Sequence, residues 1–91
     1  MNEVIRKRIR FFGSVQGVGF RYRAKYAARG LGITGYVKNL YDGRVEMEVQ
    51  GERDNISRMF AEIDAGHFIH IEDMEMRMMP VDEEERNFRV M

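Results

Sequence analysis

Apolar and polar positions alternate from Val4 to Phe12, with Ile5, Lys7, Ile9 and Phe11 on one side and Arg6, Arg8 and Arg10 on the other. A period of two over this length predicts a strand with one wet face. The period then changes. After a glycine-punctuated stretch from Gly13 to Gly19, Phe20, Ala24, Ala27 and Leu31 recur at i, i+4, i+7 and i+11, one stripe of a helix that Gly30 and Gly32 are expected to stop. Ile33 to Leu40 is β-branched and aromatic, Tyr41-Asp42-Gly43 supplies a turn, and Arg44 to Gln50 alternates with Val45, Met47 and Val49 on one face. These features predict a β-hairpin. Gly51 ends it, and Asp54 is the expected N-cap of a second amphipathic helix carrying Ile56, Met59, Phe60 and Ile63 and ending near Gly66.

Residues 68–81 place Phe68, Ile69, Ile71, Met74, Met76 and Met78 mostly in alternation with charged positions, which predicts a further strand. The acidic run Asp82 to Glu85 reads as a solvated turn before a short last strand, Asn87 to Val90. The order is β-α-β-β-α-β with a short extra C-terminal strand. It implies a single α+β domain over residues 1–91 with a ferredoxin-like sandwich, an antiparallel sheet with both helices on one face. The methionines Met47, Met59, Met74, Met76 and Met78 fall at core-facing spacings, where a flexible thioether fills gaps.

Composition narrows the function more than the fold. The 91 residues include no cysteine, so there is no disulfide, no thiolate metal site and no cysteine nucleophile. A metal chaperone of this fold, which would offer a Cys-x-x-Cys loop, is thereby disfavoured. No apolar run approaches the roughly 20 residues of a membrane helix, and the start, Met1-Asn2-Glu3-Val4, lacks a signal-peptide hydrophobic region; the expected location is cytoplasmic, with no membrane partner.

Formal net charge is zero, yet residues 1–25 carry seven basic side chains against one acid, and residues 71–91 three against seven. An anion belongs near the N-terminal quarter. Nucleic acid is not the expected partner, because Arg44-Val45-Glu46-Met47-Glu48-Val49 offers two glutamates and no ring where an RNA-recognition sheet would offer basic and aromatic side chains. Arg6, Arg8 and Arg10 read as a solvent-facing row balanced by acids of a neighbouring strand.

The chemistry is carried by Gly13-Ser14-Val15-Gln16-Gly17-Val18-Gly19-Phe20-Arg21. Three glycines in seven residues let the backbone curl closely, and the loop feeds a helix N-terminus whose unpaired N–H groups point outward. Such a loop cradles anions. Arg21, in the first helical turn, can grip two phosphate oxygens at once. Tyr22 stands where a dinucleotide fingerprint needs glycine, and no Gly-Lys-Ser/Thr follows as in a P-loop.

The nine-residue string resembles the signature loop of the acylphosphatase family, and a second signature follows in Gly35-Tyr36-Val37-Lys38-Asn39 and Asp42-Gly43-Arg44-Val45-Glu46. The resemblance spans nearly the whole chain. It implies hydrolysis of the carboxyl–phosphate bond of acyl phosphates to a carboxylate and inorganic phosphate, without metal or cofactor. It also implies that Arg21 and the backbone N–H groups of Gln16, Gly17, Val18, Gly19 and Phe20 hold the phosphoryl group, while Asn39 orients the attacking water.

The chemistry of the bond agrees with this, since a carboxylate leaving group needs little general acid and phosphoryl transfer relies on positioning and charge stabilisation. Strand parity puts Asn39 on the same side as Val37, toward the start of the first helix if Val37 faces the helices. His67 and His70 read as surface or edge-strand residues, and Ser14, without triad partners, as a loop hydrogen-bonder. The ending Phe88-Arg89-Val90-Met91 departs from the basic or aromatic finish usual in the family, which implies a looser last strand. A monomer is expected. The competing reading is a binding module that keeps the cradle to hold a phosphorylated or carbamoylated ligand.

Overall fold

The computed structural model describes residues 3–91. The chain runs β1 (Val4–Ser14), α1 (Phe20–Leu31), β2 (Thr34–Asn39), β3 (Val45–Glu52), α2 (Arg53–Asp64), β4 (His70–Met79) and β5 (Phe88–Val90). The strand order is β4-β1-β3-β2-β5. The first four strands pair antiparallel, as the ferredoxin-like order requires, and β5 adds in parallel to β2, so the sheet is mixed.

Alternation along the strands separates two faces. Ile5, Ile9, Phe11, Val37, Val45, Met47 and Val49 form the inner face and are buried against Phe20, Ala24, Ala27 and Ala28 of α1 and Ile56, Met59 and Ile63 of α2. The three alanines keep the α1 contact face small. The α1 helix runs through Gly30 and stops at Gly32, whose left-handed conformation lets its N–H bond Ala28 O. The second helix starts one residue before the expected cap: Glu52, extended, is the N-cap, and Asp54 lies in the first turn, where a carboxylate still favours the helix dipole.

The outer face is where sequence expectation and structure part. Arg6, Arg8 and Arg10 stand opposite Gln50, Glu48 and Glu46 of β3, so the acidic balance is present, but the row is not uniformly solvated. Arg6 is only 7% exposed, and Glu46, Glu48 and Gln50 are buried with it. The cause is the connection from β4 to β5, which crosses this face. Glu85 accepts two bonds from the Arg6 guanidinium, at 2.7 and 3.2 Å, and Gln50 exchanges bonds with the Asp82 backbone. The run 82–85 is the solvated turn expected at Asp82, Glu83 and Glu84, but its Glu85 side chain is buried against Arg6.

Glu48 accepts from Arg6 Nε (2.8 Å), Arg8 Nε (2.9 Å) and the Tyr36 hydroxyl (3.1 Å), and Glu46 from Arg10 Nε (2.9 Å) and the same hydroxyl (2.7 Å). Burial opposes ionisation of both carboxyls, but these charge-assisted bonds outweigh it and hold both below the ordinary carboxylate range. Tyr36 is pushed up, first by burial and then by the two carboxylates it bonds.

The methionines divide likewise. Met47 and Met59 are fully buried, as expected, whereas Met74, Met76 and Met78 are exposed, Met76 at 54%. Their parity is right, because Met74 and Met76 stand opposite Phe11 and Ile9. Edge strand β4 is covered only at its start, where Ile71 packs on the core and Met74 shares a hollow with Phe60, Ala61 and Ile63 of α2, and its inner side is open at Met76 and Met78.

Candidate active site

The last residues of β1 set the loop in motion: pairing with β4 slips between Phe12 and Gly13, and the chain leaves the sheet after Ser14. Val15 is buried as the anchor of the turn. Gly17 and Gly19 then take left-handed conformations, with φ of 72° and 83°, which side-chain-bearing residues adopt at a cost of about 1–2 kcal/mol. Gly19 is the N-cap of α1 and supplies no side-chain cap, and the first turn carries no acid. The leading amides of α1 therefore meet a cleft of positive potential.

That cleft has a volume of about 450 Å³. Gly17, Gly19, Phe20, Arg21 and Asn39, five of the seven expected site residues, line it together. Phe20 contributes through its backbone, since its ring is buried with its centroid 4.9 Å from that of Phe11. Asn39 is the last residue of β2, opposite Val45, and shares its side of the strand with the fully buried Val37. The Arg21 Nη1 donates to the main-chain oxygen of Met91 at 3.1 Å, which orients the guanidinium and leaves its other donors free for a ligand. Met91 N in turn bonds Val37 O at 2.9 Å, continuing the β2–β5 ladder. The terminal segment is docked against the site.

The remaining two expected residues lie outside the lining. Val18 packs on the core. Gln16 has a role that its backbone did not suggest: its Nε2 donates to Leu40 O (2.7 Å) and Arg44 O (2.9 Å). It ties the loop to the β2–β3 turn beside Asn39. The turn itself is closed by Leu40 N to Arg44 O (2.8 Å) and by Asp42, which accepts from Arg44 N and Arg44 Nε. The bond from the Arg44 amide is the main reason the Asp42 carboxyl sits below its ordinary value.

Tyr22, Lys25 and Val90 also line the cleft and were not singled out from the sequence. The available signal was spacing, since Lys25 stands one helical turn after Arg21. His67 and His70 are exposed and away from this lining, and among the described residues no group of three His, Cys, Asp or Glu side chains could hold a metal ion.

Comparison with known proteins gives one consistent result. The acylphosphatase family profile matches residues 7–90. An acylphosphatase of Clostridium acetobutylicum is 42% identical over 83 residues, which cover 90% of this chain and 91% of that one. The crystal structure of acylphosphatase from Bacillus subtilis superposes with a TM-score of 0.86 at 31% identity, covering 96% of this chain and 98% of its own. Full-length HypF, solved in a phosphate- and nucleotide-bound form, contains a region with a TM-score of 0.83 at 26% identity that covers all of this chain and 12% of HypF.

Proposed function

The chain belongs to the acylphosphatase family and is an enzyme of it, a hydrolase, and we propose that it cleaves acyl phosphates using the cleft at the head of α1. The phosphoryl group sits on the amides of the Gln16 to Phe20 loop, with Arg21 spread across two of its oxygens. Charge builds on those oxygens during transfer, and fixed dipoles and a guanidinium stabilise it without reorganising. The Asn39 amide holds a water in line with the bond to be broken. The water oxygen bonds to phosphorus, the phosphorus–oxygen bond to the acyl group breaks with its electron pair passing to the departing carboxylate, and the proton of the water passes to a phosphoryl oxygen.

An amide is too weak a base to take that proton, and a carboxylate needs none to leave. The products are a carboxylate and inorganic phosphate. The observation that supports this reading is the convergence of Gly17, Gly19, Arg21 and Asn39, from two separate elements, on one cleft. The substrate is a small molecule and the working unit a monomer. The pairing of Arg6, Arg8 and Arg10 with Glu85, Glu48 and Glu46 supports a reading without a nucleic-acid partner.

Hydrolysis of benzoyl phosphate, followed by loss of its ultraviolet absorbance with EDTA present, tests the assignment. Arg21→Ala is expected to lower kcat/KM by about 10³-fold and to abolish protection by inorganic phosphate against thermal unfolding. Asn39→Ala is expected to keep that protection while kcat falls by about 10²-fold or more. Turnover equal to wild type in either variant refutes the role given to that residue. The likeness to a region of HypF favours one alternative, a binding module, which takes over if the wild-type chain is inert yet protected by phosphate.

A further inference from the structure

A phosphoryl group fills only part of a 450 Å³ cleft. What borders the rest is one side of α1 beyond Arg21, with Tyr22 and Lys25, facing Val15 and Val90. The composition of that wall is specific. Lys25 Nζ lies 5.9 Å from the ring centroid of Tyr22 and 5.7 Å from that of Tyr26, and the two rings stack at 6.4 Å with 19° between their planes. Both rings are largely exposed, Tyr22 at 66%, so burial does not explain their arrangement.

Lys25 is half-buried, its ammonium lies over the faces of two rings, and among the described residues it forms no ion pair with a carboxylate. Arg8 and Arg10, which line a hollow on the outer face, each hold a carboxylate. Lys25 is a positioned, unmatched charge.

Its place relative to the phosphoryl site fixes what could match it. Arg21 and Lys25 are four residues apart on one helix, so their side chains rise from the same face about 6 Å apart. An acyl phosphate gripped at Arg21 runs its acyl chain along that face toward Lys25. We propose that Tyr22 and Lys25 form an acyl-group subsite, and that the acyl phosphates it selects carry a carboxylate at the far end of a short chain, as in the monophosphate of a four-carbon diacid.

A single ammonium balances one carboxylate, whereas a second phosphoryl group would bring about two charges to one cation. The chain between the two anionic ends lies on the Tyr22 ring and against Val90. This subsite rests on the hydrolytic reading above and adds the substrate class to it.

The test compares succinyl phosphate with butyryl phosphate, which have chains of equal length and differ in the terminal carboxylate, the spontaneous loss of each being subtracted. In the wild type the ratio of kcat/KM values favours succinyl phosphate by roughly fivefold at low ionic strength, as a partly screened charge pair would give. The ratio shrinks with added salt. In Lys25→Met it falls to about one and no longer responds to salt, and in Lys25→Glu it inverts.

A wild-type ratio of one, or a preference that survives in Lys25→Met, overturns the subsite while leaving hydrolysis of butyryl phosphate, and with it the enzymatic reading, in place. Failure of the wild type to hydrolyse either compound overturns both readings together, so the two failures are told apart.

Discussion

Gln16 offers the sharpest test of how the site is held together, because its side chain touches no part of the cleft and yet joins the two segments that form it. Gln16→Ala removes two hydrogen bonds, to Leu40 O and Arg44 O. Each is worth about 1 kcal/mol net. Neither carbonyl is orphaned, since Gly43 N still donates to Leu40 O (3.2 Å) and Leu40 N to Arg44 O (2.8 Å), so the cost in stability stays at about 1–2 kcal/mol. For a domain of this size that corresponds to a fall in Tm of roughly 5–15 °C.

The catalytic cost is larger in proportion. Asn39 adjoins Leu40, and if it orients the water as proposed, a displacement of about 1 Å from the proposed phosphoryl cradle can cost 10²-fold. In the benzoyl phosphate assay, kcat of Gln16→Ala is expected to fall by about 10-fold to 100-fold, with KM changed much less because the loop glycines and Arg21 remain. Gln16→Glu, which turns a carboxylate toward two carbonyl oxygens, should lose at least as much at neutral pH. If Tm falls as expected while kcat stays within about twofold of wild type, the strut is structural only and the argument that it positions Asn39 is wrong.

Two predictions concern stability. Glu48→Gln takes the charge from a carboxylate shared by Arg6, Arg8 and Tyr36. Breaking a buried pair costs about 3–5 kcal/mol, and the lower end applies because Arg6 keeps Glu85. The sign of its pH dependence follows from the depressed acidity of Glu46 and Glu48: their contribution is complete above the ordinary value of 4.5 and is lost as pH falls through the folded-state values. Urea midpoints of wild type and variant should therefore converge as pH falls below 4.5, and a gap that stays constant down to the acid limit of folding would exclude ionised Glu48 as its source. For the open side of β4, Met76→Lys should change stability by no more than about 0.5 kcal/mol, whereas Met47→Ala, a fully buried neighbour in the same ladder, should cost about 2–5 kcal/mol. A large loss in Met76→Lys would mean that this face is covered in solution.

What the sequence could reveal was local. Alternation in Val4 to Phe12 and the stripe Phe20, Ala24, Ala27 give the element types, and the glycine loop leading into Arg21 marks the candidate anion site, because each depends on residues within a turn or two of one another. Strand parity also put Asn39 on the side of Val37. Parity cannot say whether a face is covered: Met74, Met76 and Met78 have the right alternation, but whether a helix reaches β4 depends on packing across the whole sheet.

Burial of Arg6 depends on Glu85, far along the chain, through a crossing connection that composition reads only as an acidic run. The Gln16 side chain was hidden for the same reason. Its partners are backbone carbonyls of another element, and carbonyls leave no mark on sequence pattern.

These long-range contacts share a reference point, the β2–β3 hairpin. Asn39 is the end of β2; the loop is tied by Gln16 to Leu40 and Arg44 at the turn; and Arg21 is oriented by Met91, whose own amide is fixed on Val37 O of β2. Each group expected to touch the phosphoryl centre is thus positioned against one hairpin, not against its sequence neighbours. The outer side of that hairpin carries Tyr36, Glu46 and Glu48, locked to Arg6, Arg8 and Arg10 of β1. A domain of 91 residues has a small core and little rigidity to spare, and a buried ionic network is more often a device for fixing one arrangement than a source of net stability. Its place behind the hairpin gives it a catalytic consequence: on the inner face, the distance between Arg21 and Asn39 is only as constant as the hairpin that both are measured from. Gln16 and Met91 tie the loop and Arg21 to that hairpin from the side of the cleft, and the ionic network steadies the hairpin from the other side, so the outer face supports the site without lining it.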